Sequence, residues 1–95
     1  SASDLLEATR ALADPTRLRI VDLLLEGELY AQEIVSRLGV AQSAASRHLS
    51  QLERAGIVTV AARRGSKYYA VNADRLESLA SALTERGSRA RSLQA

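Results

Sequence analysis

Ninety-five residues make one small domain and are too few for two. With no Cys, Trp, Phe or Met, disulfides, thiolate metal sites and thiol nucleophiles are excluded, and the core falls to Leu, Ile, Val and Ala, a composition that suits packed helices better than a β-sandwich. Charged residues at 25% argue against wholesale disorder, and the net charge of +2 says little until its distribution is read.

The first helix is expected over Asp4 to Ala13, with Ser3 or Asp4 as N-cap and Leu5, Ala8 and Leu12 on one face. Asp14 then caps a second helix, with Pro15 at its first position, where a missing N–H costs nothing. That helix should run to about Glu26, turning Leu18, Val21, Leu24 and Leu25 inward, and Gly27 should stop it. A third helix is expected from Ala31 to Leu38, with Ile34 and Leu38 on its inner side and Gly39 at its end. A fourth follows from Gln42 to Ala55. Its Ala45, Leu49 and Leu52 form a buried stripe, and Gln42, Ser43, Ser46, Arg47, Ser50 and Arg54 form the opposite face.

Beyond Gly56 the period changes. Ile57 to Ala62 is β-branched and apolar, Arg63-Arg64-Gly65-Ser66-Lys67 reads as a polar turn, and Tyr68 to Val71 returns as a second strand, which together make a β-hairpin. A last helix begins at Ala73 or Asp74 and carries Leu76, Leu79, Ala80 and Leu83 on one side. The tail from Gly87 is expected to be flexible. The longest aliphatic run, Leu23-Leu24-Leu25, falls far short of the ~20 residues of a membrane span. Ser1-Ala2-Ser3-Asp4 lacks the basic start of a signal peptide. A cytoplasmic location without a membrane partner is the expectation.

Charge is concentrated in the middle of the chain. Arg47, Arg54, Arg63, Arg64 and Lys67 face Glu53 alone between residues 42 and 67, whereas the first part of the chain is acidic. Such asymmetry points to a face for a polyanion. Two helices joined by a short Gly-containing turn, the second polar and basic on its free side, describe a helix-turn-helix over about 31–55. Small polar side chains let such a helix approach base edges, Gln can pair with adenine, and Arg reaches guanine or phosphate. The hairpin, over about 57–71, would add a wing whose Arg63, Arg64 and Lys67 touch the flanking backbone or minor groove. The fold class is therefore mainly α with a small β-hairpin, a winged helix-turn-helix in the order four helices, two strands, one helix, as a single domain over 1–95.

Three segments carry a family resemblance. They are Ala11-Leu12-Ala13-Asp14-Pro15-Thr16-Arg17-Leu18-Arg19-Ile20, Leu38 to Leu49 followed by Leu52-Glu53-Arg54-Ala55-Gly56-Ile57-Val58, and Arg63-Arg64-Gly65-Ser66-Lys67-Tyr68-Tyr69. They resemble the ArsR/SmtB-type winged helix-turn-helix repressors over roughly residues 8 to 83. The resemblance implies a homodimer on double-stranded operator DNA with an inverted repeat, repression of a nearby promoter, and release by an effector. It also implies that Gln42, Ser43, Ser46 and Arg47 read bases. His48, on the same helix, is expected to serve the core or a phosphate, and Ser50 continues the polar face. Helices at about 4–13 and 73–86 would form the dimer interface through Leu5, Leu12, Leu76, Leu79 and Leu83.

This sequence departs from the family pattern in two ways. Ala41 stands where the family usually places a capping Ser or Thr, a loss typically worth ~1 kcal/mol, so the helix start is either looser or capped by Ser43. Family members that sense soft metals carry Cys-x-Cys on the third helix, where this chain has Tyr30 and Gln32. Those that bind zinc, cobalt or nickel on the last helices use His with carboxylates. Here only Asp74, Glu77 and Glu85 are offered, which leaves no evident cofactor beyond a weakly held divalent metal such as nickel. The effector is then a metal, a small ligand or a protein. Catalysis has no support: His48 and Ser46, two apart on a helix, do not face each other, and no Gly-rich phosphate loop is present. The alternative to a DNA reader is a winged-helix module that docks a protein, or a DNA binder that depends on one. A docking face would need apolar anchors, which Gln42, Ser43, Ser46, Arg47 and Ser50 do not provide.

Overall fold

In the computed structural model, which describes residues 2–94, the chain runs α1 (Ala2–Leu12), α2 (Pro15–Leu24), β1 (Leu29–Tyr30), α3 (Ala31–Leu38), α4 (Gln42–Arg54), β2 (Val58–Arg63), β3 (Ser66–Val71) and α5 (Ala73–Gln94). Ser1 and Ala95, the ends of the expected 1–95 domain, lie outside the described residues. The expected order of helices and hairpin is present, with one addition. Leu29–Tyr30 forms a short strand that pairs antiparallel with β3, giving a three-stranded sheet in the order β1-β3-β2. Two residues are too few to show a period, so the sequence pattern carried no sign of it.

Asp14 creates the first corner. Its backbone is extended (φ −154°, ψ 131°) and its Oδ2 accepts from Thr16 N at 2.9 Å and Arg17 N at 3.1 Å, while Pro15 fills a position that needs no donor. Gly39, at φ 67°, ends α3 in the left-handed region, where its N–H donates to Val35 O at 3.1 Å. One face of the sheet sets Leu29, Tyr69 and Val60 abreast, with Val58 opposite Val71 in the same layer. This face meets Ala8, Ile20, Ile34, Leu38, Leu49, Leu52 and Ile57 in the core. Ile20, Ile34, Leu52, Ile57 and Val58 are its largest fully buried side chains.

Four expectations about the elements are corrected. The first helix begins at Ala2, so Ser3 and Asp4 lie inside its first turn and do not cap it. The second closes at Leu24, short of Glu26, and its buried stripe is Ile20, Val21 and Leu24. Leu18 and Leu25 face out, at 48% and 65% exposure. The reason is that Arg17 extends this stripe one turn toward the N-terminus and occupies its inner edge with a polar network described below. The hairpin turn is Arg64-Gly65 alone, because Arg63 pairs with Ser66 and Lys67 with Ala62. Both turn residues have positive φ (52° and 79°), the two-residue geometry that matches strand twist and lets the ladder close fully.

The last helix does not end near Arg86. It continues through Gly87 to Gln94, since one interior Gly costs only about 1 kcal/mol and no Pro follows it. Its start is anchored by side chains. Asn72 Oδ1 accepts from Arg75 N at 3.2 Å while its Nδ2 donates to Gly56 O at 2.9 Å. Arg75 then donates through Nε to Ala55 O (3.0 Å) and through Nη2 to Asp4 O (3.1 Å). Gly56 beside it takes φ 75°, a backbone conformation that other residues rarely adopt. One arginine thus joins the end of α4, the start of α1 and the first turn of α5.

Candidate nucleic-acid interface

α4 is amphipathic in the expected sense. Ala45, Leu49 and Leu52 are buried, and Gln42, Ser43, Ser46, Arg47 and Ser50 are all exposed, with Arg54 exposed near the end. Ala41 occupies the N-cap with extended backbone and no side-chain cap, so Ser43 does not take that role. The first helical bond runs from Ala45 N to Ala41 O at 3.0 Å. Among the described residues no side chain caps the N–H groups of the first turn, which lie at the positive end of the helix dipole, an arrangement that suits an anion such as a phosphate.

His48 is not part of that exposed face. Its side chain is 13% exposed and turns toward α2, because position 48 lies one turn from Ala45 and Leu52 on the buried side. Its Nδ1 lies 3.2 Å from Arg17 Nη1 and 3.9 Å from Asp14 Oδ2. Arg17 can only donate, so the ring nitrogen accepts. The same Nη1 donates to Gln51 Oε1 at 2.5 Å, Nε donates to Ala11 O at 2.6 Å and Nη2 to Arg10 O at 3.2 Å. The guanidinium thereby ties the last carbonyls of α1 to the inner edge of α4. Sequence reasoning passed over Arg17 and Gln51. The available signal was a charged residue three positions before Ile20 on an otherwise apolar stripe, a placement that requires partners.

At the wing, Arg64 and Lys67 are exposed and make no ion pair or side-chain hydrogen bond among the described residues. Arg63, expected beside them, is held back. It donates to Glu28 and lies 4.3 Å over the Tyr68 ring, and Tyr68 in turn meets Tyr30 edge-on at 5.9 Å between centroids. The Glu28 hydrogen bond raises the already high proton affinity of the guanidinium.

The residues expected at a dimer interface divide. Leu12, Leu76 and Leu79 are half-buried against the chain's own core, Leu5 is half-buried, and Leu83 is 53% exposed. Leu6 and Leu93 also face out, which the sequence reading had not marked. Among the described residues no three His, Asp or Glu side chains come together to hold a metal ion. Asp74 lies in the first turn of α5, Glu77 follows three residues on and Glu85 lies more than two turns beyond that, so these side chains do not fit a resident metal within one chain. No helix of the described residues is long and apolar enough to cross a membrane.

The fold is that of a winged helix-turn-helix, with α3 and α4 as the two helices and the β2–β3 hairpin as the wing. The family whose sequence pattern matches residues 14–60 is described as the bacterial regulatory protein, arsR family. Similarity also extends to the HTH-type transcriptional regulator CmtR of Mycobacterium tuberculosis, 49% identical over 49 residues that make up 52% of this chain and 42% of CmtR. The chain therefore spans less than half the length of that relative. The solved structure of HlyU from Vibrio cholerae matches with a TM-score of 0.75 at 30% identity, over 88% of this chain and 91% of that one. A solution structure from Mycobacterium bovis, described as a homodimeric winged helix-turn-helix DNA-binding domain, matches with a TM-score of 0.76 at 26% identity, over 93% and 82% of the two chains. The chain belongs to the ArsR family.

The corner that holds α4 makes a prediction about acid stability. Hydrogen bonding from the Arg17 backbone N–H, opposed by partial burial and aided by the nearby Arg17 guanidinium, holds the Asp14 carboxyl below its ordinary 3.8. A carboxylate depressed in the folded state contributes stability above its unfolded value and loses it as pH falls through the folded one. Urea midpoints measured from pH 5 down to pH 2.5 should therefore fall more steeply for the natural chain than for Asp14→Asn, which keeps a capping oxygen without a titrating group. Parallel curves would show that Asp14 does not carry this dependence.

Proposed function

We propose that the chain is a sequence-specific transcriptional regulator that binds double-stranded operator DNA as a homodimer and represses the promoter it covers. The observation that carries this reading is α4 itself. Its outer face is built from Gln42, Ser43, Ser46, Arg47 and Ser50, and its first-turn N–H groups have no side-chain cap. Small hydroxyls and an amide allow close approach to base edges, Arg47 supplies a guanine-reading fork, and the open helix start suits a phosphate. Arg64 and Lys67 on the wing serve as backbone contacts, and Arg63 adds a third only when released from Glu28. Membership of the ArsR family and the likeness to a homodimeric DNA-binding domain support the same conclusion. The polar face of α4 offers no apolar anchor of the kind a protein-docking surface needs.

Base reading and backbone holding separate in a binding assay. A bidentate base contact discriminates by ~1–3 kcal/mol, whereas each phosphate contact adds about 0.9 to the slope of log affinity against log salt. Arg47→Ala should weaken binding to an inverted-repeat operator far more than to scrambled duplex. Arg64→Ala should weaken both alike and flatten the salt plot. Fluorescence anisotropy across a salt series measures both effects, and an equal loss on the two duplexes for Arg47→Ala would remove α4 from the role of reader.

The homodimer is assigned to α1 and α5, whose surfaces carry exposed Leu6 and Leu83 and half-buried Leu5, Leu76 and Leu79. A domain of this size gains from covering such a surface with a second copy. Leu83→Glu changes an exposed side chain and should leave the fold intact while yielding monomer in sedimentation equilibrium at concentrations where the natural chain is a dimer. A dimer that survives this substitution unchanged would place the interface elsewhere.

A further inference from the structure

Three helices converge on a cavity that the reading of α4 does not use. It has a volume of about 500 Å³ and is walled by Glu7 and Arg10 of α1, Arg17 of α2, and Gln51 and Arg54 of α4, over a floor of alanines. Three guanidinium groups share this space with a single carboxylate. Arg10 and Arg54 are exposed, and neither side chain makes an ion pair or hydrogen bond within the described residues. Arg17 is already committed, as shown above, and its Nη1 takes Gln51 Oε1 as acceptor, which leaves the Gln51 amide N–H₂ as a free donor at the wall.

We propose that this cavity binds a small dianion, a phosphate ester or a dicarboxylate, and that its occupant acts on α4 through Arg17. The volume lies in the range of small-ligand sites, and a few convergent polar groups are what fixes a ligand there. Two unpartnered arginines arriving from different helices can each present a fork to an oxyanion, the geometry in which guanidinium binds carboxylate and phosphate best. Glu7 supplies an acceptor for a hydroxyl on the same ligand. The inner wall is the Arg17–Gln51 contact that holds α4 against the α1–α2 corner, so an anion that draws either group toward itself shifts the helix that carries the reading face. Binding and operator affinity are then linked, and the linkage is reciprocal. The binding half of this inference stands apart from the DNA-binding reading, and only the coupling half rests on it.

Calorimetric titration of the whole chain with inorganic pyrophosphate, at fixed ionic strength and without DNA, tests the first half. One saturable site per chain is expected. Arg10→Gln with Arg54→Gln should weaken it by at least tenfold, whereas Arg64→Gln with Lys67→Gln removes the same charge from the wing and should leave it within twofold. No saturable binding, or an equal loss in both pairs, overturns the site. DNA phosphate is the other source of the same chemistry, and the salt slope tells them apart. The proposal expects an unchanged slope in the Arg10→Gln, Arg54→Gln chain, while a drop of about 0.9 per arginine would reassign both to the DNA backbone. For the second half, saturating pyrophosphate should lower operator affinity severalfold in the natural chain and not in the double variant. Unaltered affinity in both would overturn the coupling. Because calorimetry needs no DNA, failure of the site and failure of the DNA-binding reading appear in different measurements.

Discussion

The position of α4 depends on one guanidinium. Arg17 reaches from the first turn of α2 to two carbonyls at the end of α1 and two side chains on the inner edge of α4, a span no apolar residue could bridge. Charge-assisted hydrogen bonds are shorter and stronger than neutral ones, and a half-buried cation stripped of its acceptors would be costly. Arg17 therefore holds only where Ala11, Arg10, His48 and Gln51 all stand in place, and each of these elements is positioned with respect to the others by that requirement. Asp14 completes the corner by holding the backbone of Arg17 at the helix start.

α4 can then serve two surfaces at once. Its inner side contributes Ala45, Leu49 and Leu52 to the core and His48 and Gln51 to the Arg17 network, so the helix is fixed without help from its outer side. The outer side is left exposed, without a side-chain hydrogen bond or ion pair among the described residues, and its first turn is left without a side-chain cap. A capping Ser or Thr at position 41 would add stability to the isolated helix but would claim a donor that an anion can use. At the other end, Arg75 and Asn72 bind the close of α4 to α1 and α5. The packing of α1 and α5 is thus tied to the C-terminal half of α4, through Arg17 on one side and Arg75 on the other.

Much of this was legible in the residues. Gly39 and Gly56 bracket α4, Asp14-Pro15 marks the α1–α2 corner, and the change of period after Ile57 marks the hairpin. These signals are local and their chemistry is specific. The exposed face of α4 followed directly from the spacing of Ala45, Leu49 and Leu52. What escaped was non-local. Glu28 and Arg63 lie 35 positions apart, and nothing near either announces that the sheet brings them together, so Arg63 was assigned to the wing tip. His48 was left between the core and a phosphate because the side chain it meets, Arg17, lies 31 positions away. The inward face of α2 was read as Leu18, Val21, Leu24 and Leu25, whereas Arg17 takes its inner edge through partners on α1 and α4 that lie up to 34 positions away. The helical course of residues 87–94 was missed because Gly87 was given the weight of a terminator, although an interior Gly only weakens a helix.

The central claim is that α4 and the wing form one DNA-facing surface while α1, α5 and the Arg17 corner stay behind it. Amide chemical-shift mapping of the labelled chain on addition of operator duplex tests it most directly. The account predicts that the largest perturbations fall on Gln42 to Ser50 and on Arg64 to Lys67, with smaller shifts at Arg17 and Gln51 relayed through the network. Perturbations centred on α5 or on the Tyr30–Tyr68 face of the sheet, with α4 unaffected, would contradict it.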